Sequence, residues 1–199
     1  MKQNNVLGKI LVIAVFDRYW MMYGGKPEVV AEWRGRIDKD IAIWVSAQIA
    51  TFYCNALLVV ESNTYDTSSR YDVSEFIFDT IADYYKNLYS RTPADKIKEG
   101  EPAVYGWHTN RSSKPILVDN YVAELREEGY VERSGEALDE ARVYEQKKDK
   151  QYGAKAGKHD DILMTRMIGC HICRELPLPK VVDDIPKHIH KKPVGVSSF

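Results

Sequence analysis

A continuous apolar run at residues 10–16 (ILVIAVF) most constrains what this chain can fold into. Such a run, rich in β-branched residues and without alternation, is typical of a strand buried on both faces. Residues 29–34 (VVAEWR) alternate between apolar and polar types, which predicts a second strand reached through a turn at Gly24 and Gly25. A further apolar run, ALLVV at residues 56–60, predicts another buried strand that ends at Glu61. Because such strands are apolar on both faces, other elements must pack against each face of the sheet.

Helical patterns supply that cover. In residues 38–52 the side chains of Ile41, Val45, Ile49 and Phe52 form one predicted apolar stripe. Further helices are predicted at residues 72–85, 115–128, 135–146 and 160–175, with Gly129 ending the third helix of the chain and a basic loop at 147–158. The order of elements predicts the α/β class, with a mixed central sheet flanked by helices on both faces. We assign residues 1–176 to one domain and residues 177–199, which contain four prolines, to an extended tail.

The composition excludes several functional classes. The chain has 28 Lys and Arg against 29 Asp and Glu, so a globally basic nucleic-acid coat is excluded while local basic patches are not. No apolar run approaches the roughly 20 residues that a membrane helix needs, so we expect no membrane partner. Three cysteines fit a reducing cytoplasm. The chain contains neither a phosphate-binding GxxxxGK[ST] loop nor a GxGxxG fingerprint, so we expect no nucleotide cofactor.

The string GKHDD at residues 157–161 precedes the last predicted helix. Asp160 or Asp161 would serve well as an N-cap, because a carboxylate is favourable at the positive end of a helix. One aspartate is enough for that role. A second aspartate beside His159 makes a divalent metal site an equal alternative.

Glu61 follows a buried strand, which is where open α/β sheets place their ligands. An ordinary solvated glutamate is the competing interpretation. Together with Asp160 and Asp161, however, Glu61 would supply the oxygen ligands that Mg²⁺ and Mn²⁺ prefer. Two such ions about 4 Å apart can clamp the attacking and leaving oxygens of a phosphodiester.

A polar loop with an aromatic flank (YGWHTNRSSKP, residues 105–115) begins the third long helix. Asn110, Arg111 and Lys114, with the free N–H groups of the helix start, could hold a phosphate backbone. An ordinary helix start capped by Ser112 or Ser113 explains the same residues equally well.

Four strings occur in one order along the chain: EVVAEWRGRID, NALLVVESN, GWHTNRSSKPILVD and GKHDDILM. Together they resemble the C-terminal nuclease domain of phage terminase large subunits, over residues 12–172. The resemblance implies an RNase H-like fold and metal-dependent endonuclease cleavage of concatemeric double-stranded viral DNA during packaging. It also implies a two-metal site for Mg²⁺ or Mn²⁺, with Glu61 as the middle ligand and Asp160 or Asp161 as the last.

The resemblance further implies double-stranded DNA as a partner, with a portal or a small terminase subunit as further candidates. The residues expected to contact DNA are Asn110, Arg111, Lys114, Lys158 and His159. The implied location is the cytoplasm of a phage-infected or lysogenic bacterial host.

One departure from the family pattern bears on activity. The family's first catalytic aspartate falls near Lys9 in this chain, and residues 1–16 contain no acidic residue. Asp17 lies eight residues further on, about 26 Å away at the rise of a strand, so it cannot easily substitute. The segment before Val12 reads as a replaced start, and the family's ATPase half is not in this sequence. We therefore expect weak or absent nuclease activity, with an inactive prophage remnant that binds DNA or a packaging partner as the alternative.

Overall fold

The computed structural model describes residues 10–64, 73–148 and 151–180. Strand β1 (Ile10–Asp17) pairs antiparallel with β2 (Glu28–Arg36), and the pairing begins with Ile10 opposite Arg36. A short 3₁₀ turn joins the strands and ends at Gly24, whose φ of 75° places it in the left-handed region that glycine adopts at little cost. The predicted hairpin is therefore confirmed.

Helix α1 (Lys39–Phe52) forms where the sequence predicts it, but a different face is buried. Ile41 is 51% exposed and Phe52 is 81% exposed, so the predicted stripe is wrong at both ends. The buried positions are Ala42, Ile43, Ser46, Ala47 and Ala50. Small side chains let the helix approach its neighbours closely, and this packing outweighs the burial of the larger side chains at the ends of the stripe.

The second apolar run is extended but is held by single bridges instead of a regular ladder. Leu58 bridges Leu88, and Glu61 bridges Trp107, both in the parallel sense. Within the described residues, the regular sheets are two antiparallel pairs: β1 with β2, and β3 (Tyr144–Gln146) with β4 (Tyr152–Ala154). The protein is thus of mixed helix and sheet type, as predicted at the level of class.

The remaining helices are α2 (Val73–Tyr84), α3 (Ala94–Lys98), α4 (Ser113–Arg126), α5 (Gly135–Arg142) and α6 (Asp161–Glu175). Two predicted boundaries are wrong. The helix predicted over 135–146 stops at Arg142, and the predicted loop at 147–158 contains β4. The left-handed residue after α4 is Glu128, with a φ of 49°, while Gly129 donates its N–H to the carbonyl of Glu124 at 2.7 Å.

The apolar core consists of two clusters. The first joins β2, α4 and α6, with Leu117, Leu163 and Met167 almost completely buried. The second joins α1, α2 and the extended segment, around Ile43, Ile81 and Leu58. Side chains of residues 56–60 alternate between the two clusters, since Leu57 and Val59 pack on the first while Ala56, Leu58 and Val60 pack on the second. The extended layer therefore lies between two helical layers.

A buried group of charged side chains, the Arg166 cluster, lies inside the first apolar cluster. No local pattern in the sequence predicts it. The Arg166 side chain is fully buried; its Nε donates to Glu132 at 2.8 Å and its Nη2 donates to Glu32 at 2.5 Å. Burial acts to raise the pKa of Glu132, but the hydrogen bonds from Arg166 and from the Ser134 backbone outweigh it and leave that pKa below its ordinary value. The cluster ties β2 to α6.

Two predictions fall outside the described residues: the position of Lys9, and the tail beyond residue 180. None of the helices within the described residues is both long and apolar enough to cross a membrane.

Candidate functional site

The end of the extended segment is bonded directly to the loop that precedes α4. Trp107 donates its N–H to the carbonyl of Val60, and Ser62 donates its N–H to the carbonyl of Trp107, both at 2.7 Å. The Ser62 hydroxyl also lies 3.3 Å from Nδ1 of His108. Glu61, which lies between these bonded positions, is therefore held beside the loop.

Asn63 strengthens the same connection. Its side-chain amide donates to the carbonyl of Thr109 and accepts the Thr109 N–H at 2.8 Å. This two-bond clamp fixes the loop that carries the predicted DNA-contacting residues against the end of the strand that carries Glu61.

The start of α4 is capped by Asn110, not by Ser112 or Ser113 as the sequence suggested. Oδ1 of Asn110 accepts the N–H of Ser112 at 2.9 Å and the N–H of Ser113 at 2.8 Å. Ser112 occupies the cap position without making a side-chain cap bond. The Asn110 side-chain oxygen is thus occupied, which leaves its amide group as the part that could contact a phosphate.

The two cations of this loop have different surroundings. Arg111 is exposed and makes no hydrogen bond or ion pair with any described residue. Lys114 places its Nζ 4.0 Å from Oδ2 of Asp160 and 5.8 Å from the centre of the Tyr144 ring. Lys114 therefore brings the start of α4 to the start of α6.

Glu140 caps the start of α6, a role for which the sequence analysis considered Asp160 and Asp161. Its carboxylate accepts the N–H of Leu163 at 2.9 Å, in the first turn of α6. Glu140 is only 8% exposed; burial raises its pKa, and the backbone N–H groups of Leu163 and Ile162 oppose that rise. Asp160 precedes α6 and makes no side-chain cap bond. The expected side-chain cap bond is thus made by Glu140, while Asp160 does occupy the N-cap position and Asp161 lies in the first turn, where a carboxylate is favourable.

The two aspartates diverge from each other. Asp160 faces Lys114, as described above, while Oδ2 of Asp161 lies 3.7 Å from Nδ1 of the exposed His159. Asp161 and Glu61 both line an apolar cleft between β1 and residues 56–61, hereafter the cleft. Lys158 is exposed immediately before these residues. Of the predicted site residues, Glu61 and Asp161 thus line the cleft, while Lys114 and His159 contact the aspartate pair at the start of α6.

The oxygen donors at this site are of the kind that divalent cations prefer, but they are few. Carboxylate oxygens are suited to Mg²⁺ and Mn²⁺. The described residues contain no group of three or more His, Cys, Asp or Glu side chains placed to hold a metal. Glu61 and Asp161 both line the cleft, and Asp160 lies 4.0 Å from the ammonium group of Lys114.

Tyr144 is a neighbour of the site that the sequence analysis missed. Its hydroxyl is buried and has no hydrogen-bond partner among the described residues, and its ring lies below Lys114. Burial raises the pKa of Tyr144, and the charge of Asp160 raises it further. Because Tyr144 belongs to a three-residue strand, no periodic pattern marked it.

No protein-family model and no curated protein sequence matches the chain.

Proposed function

We propose that this chain is a nuclease domain of the terminase type, with an RNase H-like arrangement of its elements and impaired cleavage of double-stranded DNA. The observation that carries the proposal is the capping of α6 by Glu140. Because Glu140 accepts the Leu163 N–H, Asp160 makes no side-chain cap bond, and Asp161 lines the same cleft as Glu61. Carboxylate oxygens of this kind are the ligands that Mg²⁺ and Mn²⁺ prefer, which supports cation binding.

The proposed roles follow from the contacts. Glu61 and Asp161, which both line the cleft, would hold one Mg²⁺ or Mn²⁺ ion. Asp160 would be a further ligand only if its ion pair with Lys114 were broken. Arg111 and Lys158 bind phosphates, since both are exposed cations. A bound ion would polarise the scissile phosphodiester and lower the pKa of an attacking water.

The ion pair between Lys114 and Asp160 favours a second candidate, a domain that binds DNA or a packaging partner without cutting. The ammonium group already neutralises one of the three predicted ligands. A cation would have to displace it. In this second function the same basic loop binds DNA, and the acidic residues hold that loop in position.

Nicking of supercoiled plasmid in Mn²⁺ tests the first function. We expect slow nicking by the unmodified protein, reduced at least about 10-fold in Glu61→Gln and in Asp161→Asn, since even an outer-shell partner can contribute that much to a metal site. Glu127→Gln, an exposed change beyond the end of α4, is the matched control and should not alter the rate. Equal nicking by Glu61→Gln would overturn the proposed site, and an inactive but DNA-binding protein would support the second candidate.

The salt dependence of DNA binding tests the basic contacts shared by both candidates. Arg111→Ala and Lys158→Ala should each reduce the slope of log Kd against log salt by about 1, because each removes one phosphate contact. Fluorescence anisotropy with a labelled duplex measures this slope. Lys98→Ala, at the exposed end of α3, should leave the slope unchanged. If all three variants keep the original slope, the basic loop is not the DNA-binding surface.

A further inference from the structure

A contact between two charged side chains joins the start of α4 to the start of α6. Nζ of Lys114 lies 4.0 Å from Oδ2 of Asp160, and the two side chains are 28% and 29% exposed. The separation is longer than a hydrogen bond, so the pair is held by charge alone. Ion pairs that reach solvent contribute little to stability, so another anion can replace the carboxylate with little loss.

Lys114 has a second support that does not depend on Asp160. Its Nζ lies over the Tyr144 ring, 5.8 Å from the ring centre, and an ammonium group in this position is attracted to the face of the ring. Tyr144 belongs to β3 and packs against the first apolar cluster, so its ring is held in place. The ammonium group of Lys114 therefore keeps its position when the carboxylate of Asp160 leaves.

A second ammonium group approaches the same carboxylate over β4. A methyl group at Gly153 would lie 3.2 Å from Nζ of Lys147 and 3.8 Å from Oδ2 of Asp160. Both charged groups are therefore close to one point above the glycine, which has no side chain to fill it. Lys147 forms no ion pair with any described residue. The Asp160 carboxylate thus lies beside two cations, one from α4 and one from the β3–β4 hairpin.

This arrangement has the composition of a phosphate site in which a carboxylate takes the place of the phosphate. Lysine ammonium groups bind backbone phosphates, and a glycine lets a bulky anion approach the main chain closely. Asp160 makes no side-chain cap bond, so its carboxylate can move away without opening α6. None of the residues around it lines the cleft, so this position is separate from the one that Glu61 and Asp161 share.

We propose that Asp160 occupies a phosphate-binding position formed by Lys114 and Lys147, and that a backbone phosphate of bound DNA displaces it. The choice of DNA as the anion rests on the proposed function, but neither cleavage nor a bound cation enters the proposal. Binding of DNA and release of the Asp160 carboxylate become a single event. That carboxylate is paired with Lys114 in the free protein and becomes available beside Asp161 only in the DNA-bound protein.

Duplex binding by Asp160→Asn tests the proposal. Asparagine is as favourable as aspartate before a helix, so α6 should remain intact. We expect the affinity at 0.1 M salt to rise about 5–10-fold and the slope of log Kd against log salt to steepen by about 1, because a phosphate contact forms without displacing a carboxylate. Fluorescence anisotropy with a labelled duplex measures both.

The gain should depend on Lys114. Lys114→Met keeps most of the aliphatic stem and should weaken binding about 5–10-fold in the Asp160→Asn background. In the otherwise unmodified protein the loss should be only about 2-fold, because the carboxylate already offsets the ammonium group there. Equal losses in the two backgrounds would overturn the proposal.

Two control variants separate this effect from a general effect of charge. Glu128→Gln also removes a carboxylate that pairs with a lysine, Lys26, but it lies beyond the far end of α4, about 20 Å from Lys114 at the rise of a helix. Glu145→Gln removes a carboxylate of the β3–β4 hairpin that forms no ion pair with any described residue. Both should bind the duplex within about 2-fold of the unmodified protein, since neither frees a cation at this position and salt screens the remaining effect of charge. A gain in either control as large as that of Asp160→Asn would overturn the proposal.

Inorganic pyrophosphate distinguishes failure of this proposal from failure of the proposed function. An NMR titration followed at the Gly153 and Lys114 amides should give a dissociation constant at least about 3-fold lower in Asp160→Asn than in the unmodified protein, since a freed ammonium group adds a charge-assisted hydrogen bond. If this gain is seen but no variant binds the duplex, the phosphate site stands and the DNA function is wrong. If the duplex binds and Asp160→Asn shows no gain in either titration, the phosphate site is wrong and the DNA function stands. No gain with pyrophosphate and no duplex binding would overturn both.

Discussion

Replacing Arg166 with methionine is expected to lower the free energy of unfolding by about 3–5 kcal/mol. The Arg166 guanidinium is fully buried and bonds to two carboxylates, those of Glu32 and Glu132. Methionine has a similar length but no charge, so the variant leaves two partly buried carboxylates without their cation. The loss of stability comes mainly from this uncompensated charge and not from the smaller volume of the side chain.

Urea denaturation followed by circular dichroism measures the effect. The matched control is Arg142→Met, because Arg142 pairs with Asp139 on the surface, with both side chains more than 70% exposed. Exposed pairs contribute about 0–1 kcal/mol, so the control should remain close to the unmodified protein. If the two variants lose the same stability, the Arg166 cluster is not the link between β2 and α6 that its contacts indicate.

Replacing Glu140 with alanine is expected to lower the free energy of unfolding by about 1–3 kcal/mol. The change removes the carboxylate that accepts the Leu163 N–H, and Leu163 is buried, so water does not readily replace the lost acceptor. The first turn of α6 should loosen before the rest of the helix. Asp160 and Asp161 lie at that turn, so the positions of their carboxylates should become less fixed when the turn loosens.

Glu140→Gln is the matched control, because its amide oxygen can still accept the same N–H. Its loss of stability should be well below that of the alanine variant in the same urea titration. Hydrogen exchange at the Leu163 amide should be fast in the alanine variant and slow in the glutamine variant. Fast exchange at Leu163 in the unmodified protein would contradict the capping role of Glu140.

The parts of the fold that the sequence could predict have strong local patterns. The apolar run of β1 covers seven residues and the alternation of β2 covers six, α6 is 15 residues long, and each element forms where predicted. Class and most helix positions follow from such patterns. The grouping of Glu61, the polar loop and the aspartate pair was suggested by resemblance, and the Asn63 clamp and the Lys114–Asp160 contact give that grouping a physical basis.

The parts that could not be predicted depend on distant pairs or very short elements. Glu140 and Leu163 are 23 residues apart, and Glu32 and Arg166 are 134 apart, so no local pattern connects them. The β3–β4 pair has three residues in each strand, too few to show alternation. The buried face of α1 was misjudged because large apolar side chains were given more weight than the alanines that allow close packing.

The division of the core into two clusters has a consequence for how the molecule opens. Each cluster has its own helices, and the two clusters meet only along residues 56–60, whose side chains alternate between them. Subglobal opening follows such boundaries, because few contacts need to break there. The α1–α2 unit can therefore come away while the α4–α6 unit, which contains the Arg166 cluster, stays intact. Folding of this chain is then a process with two cooperative units.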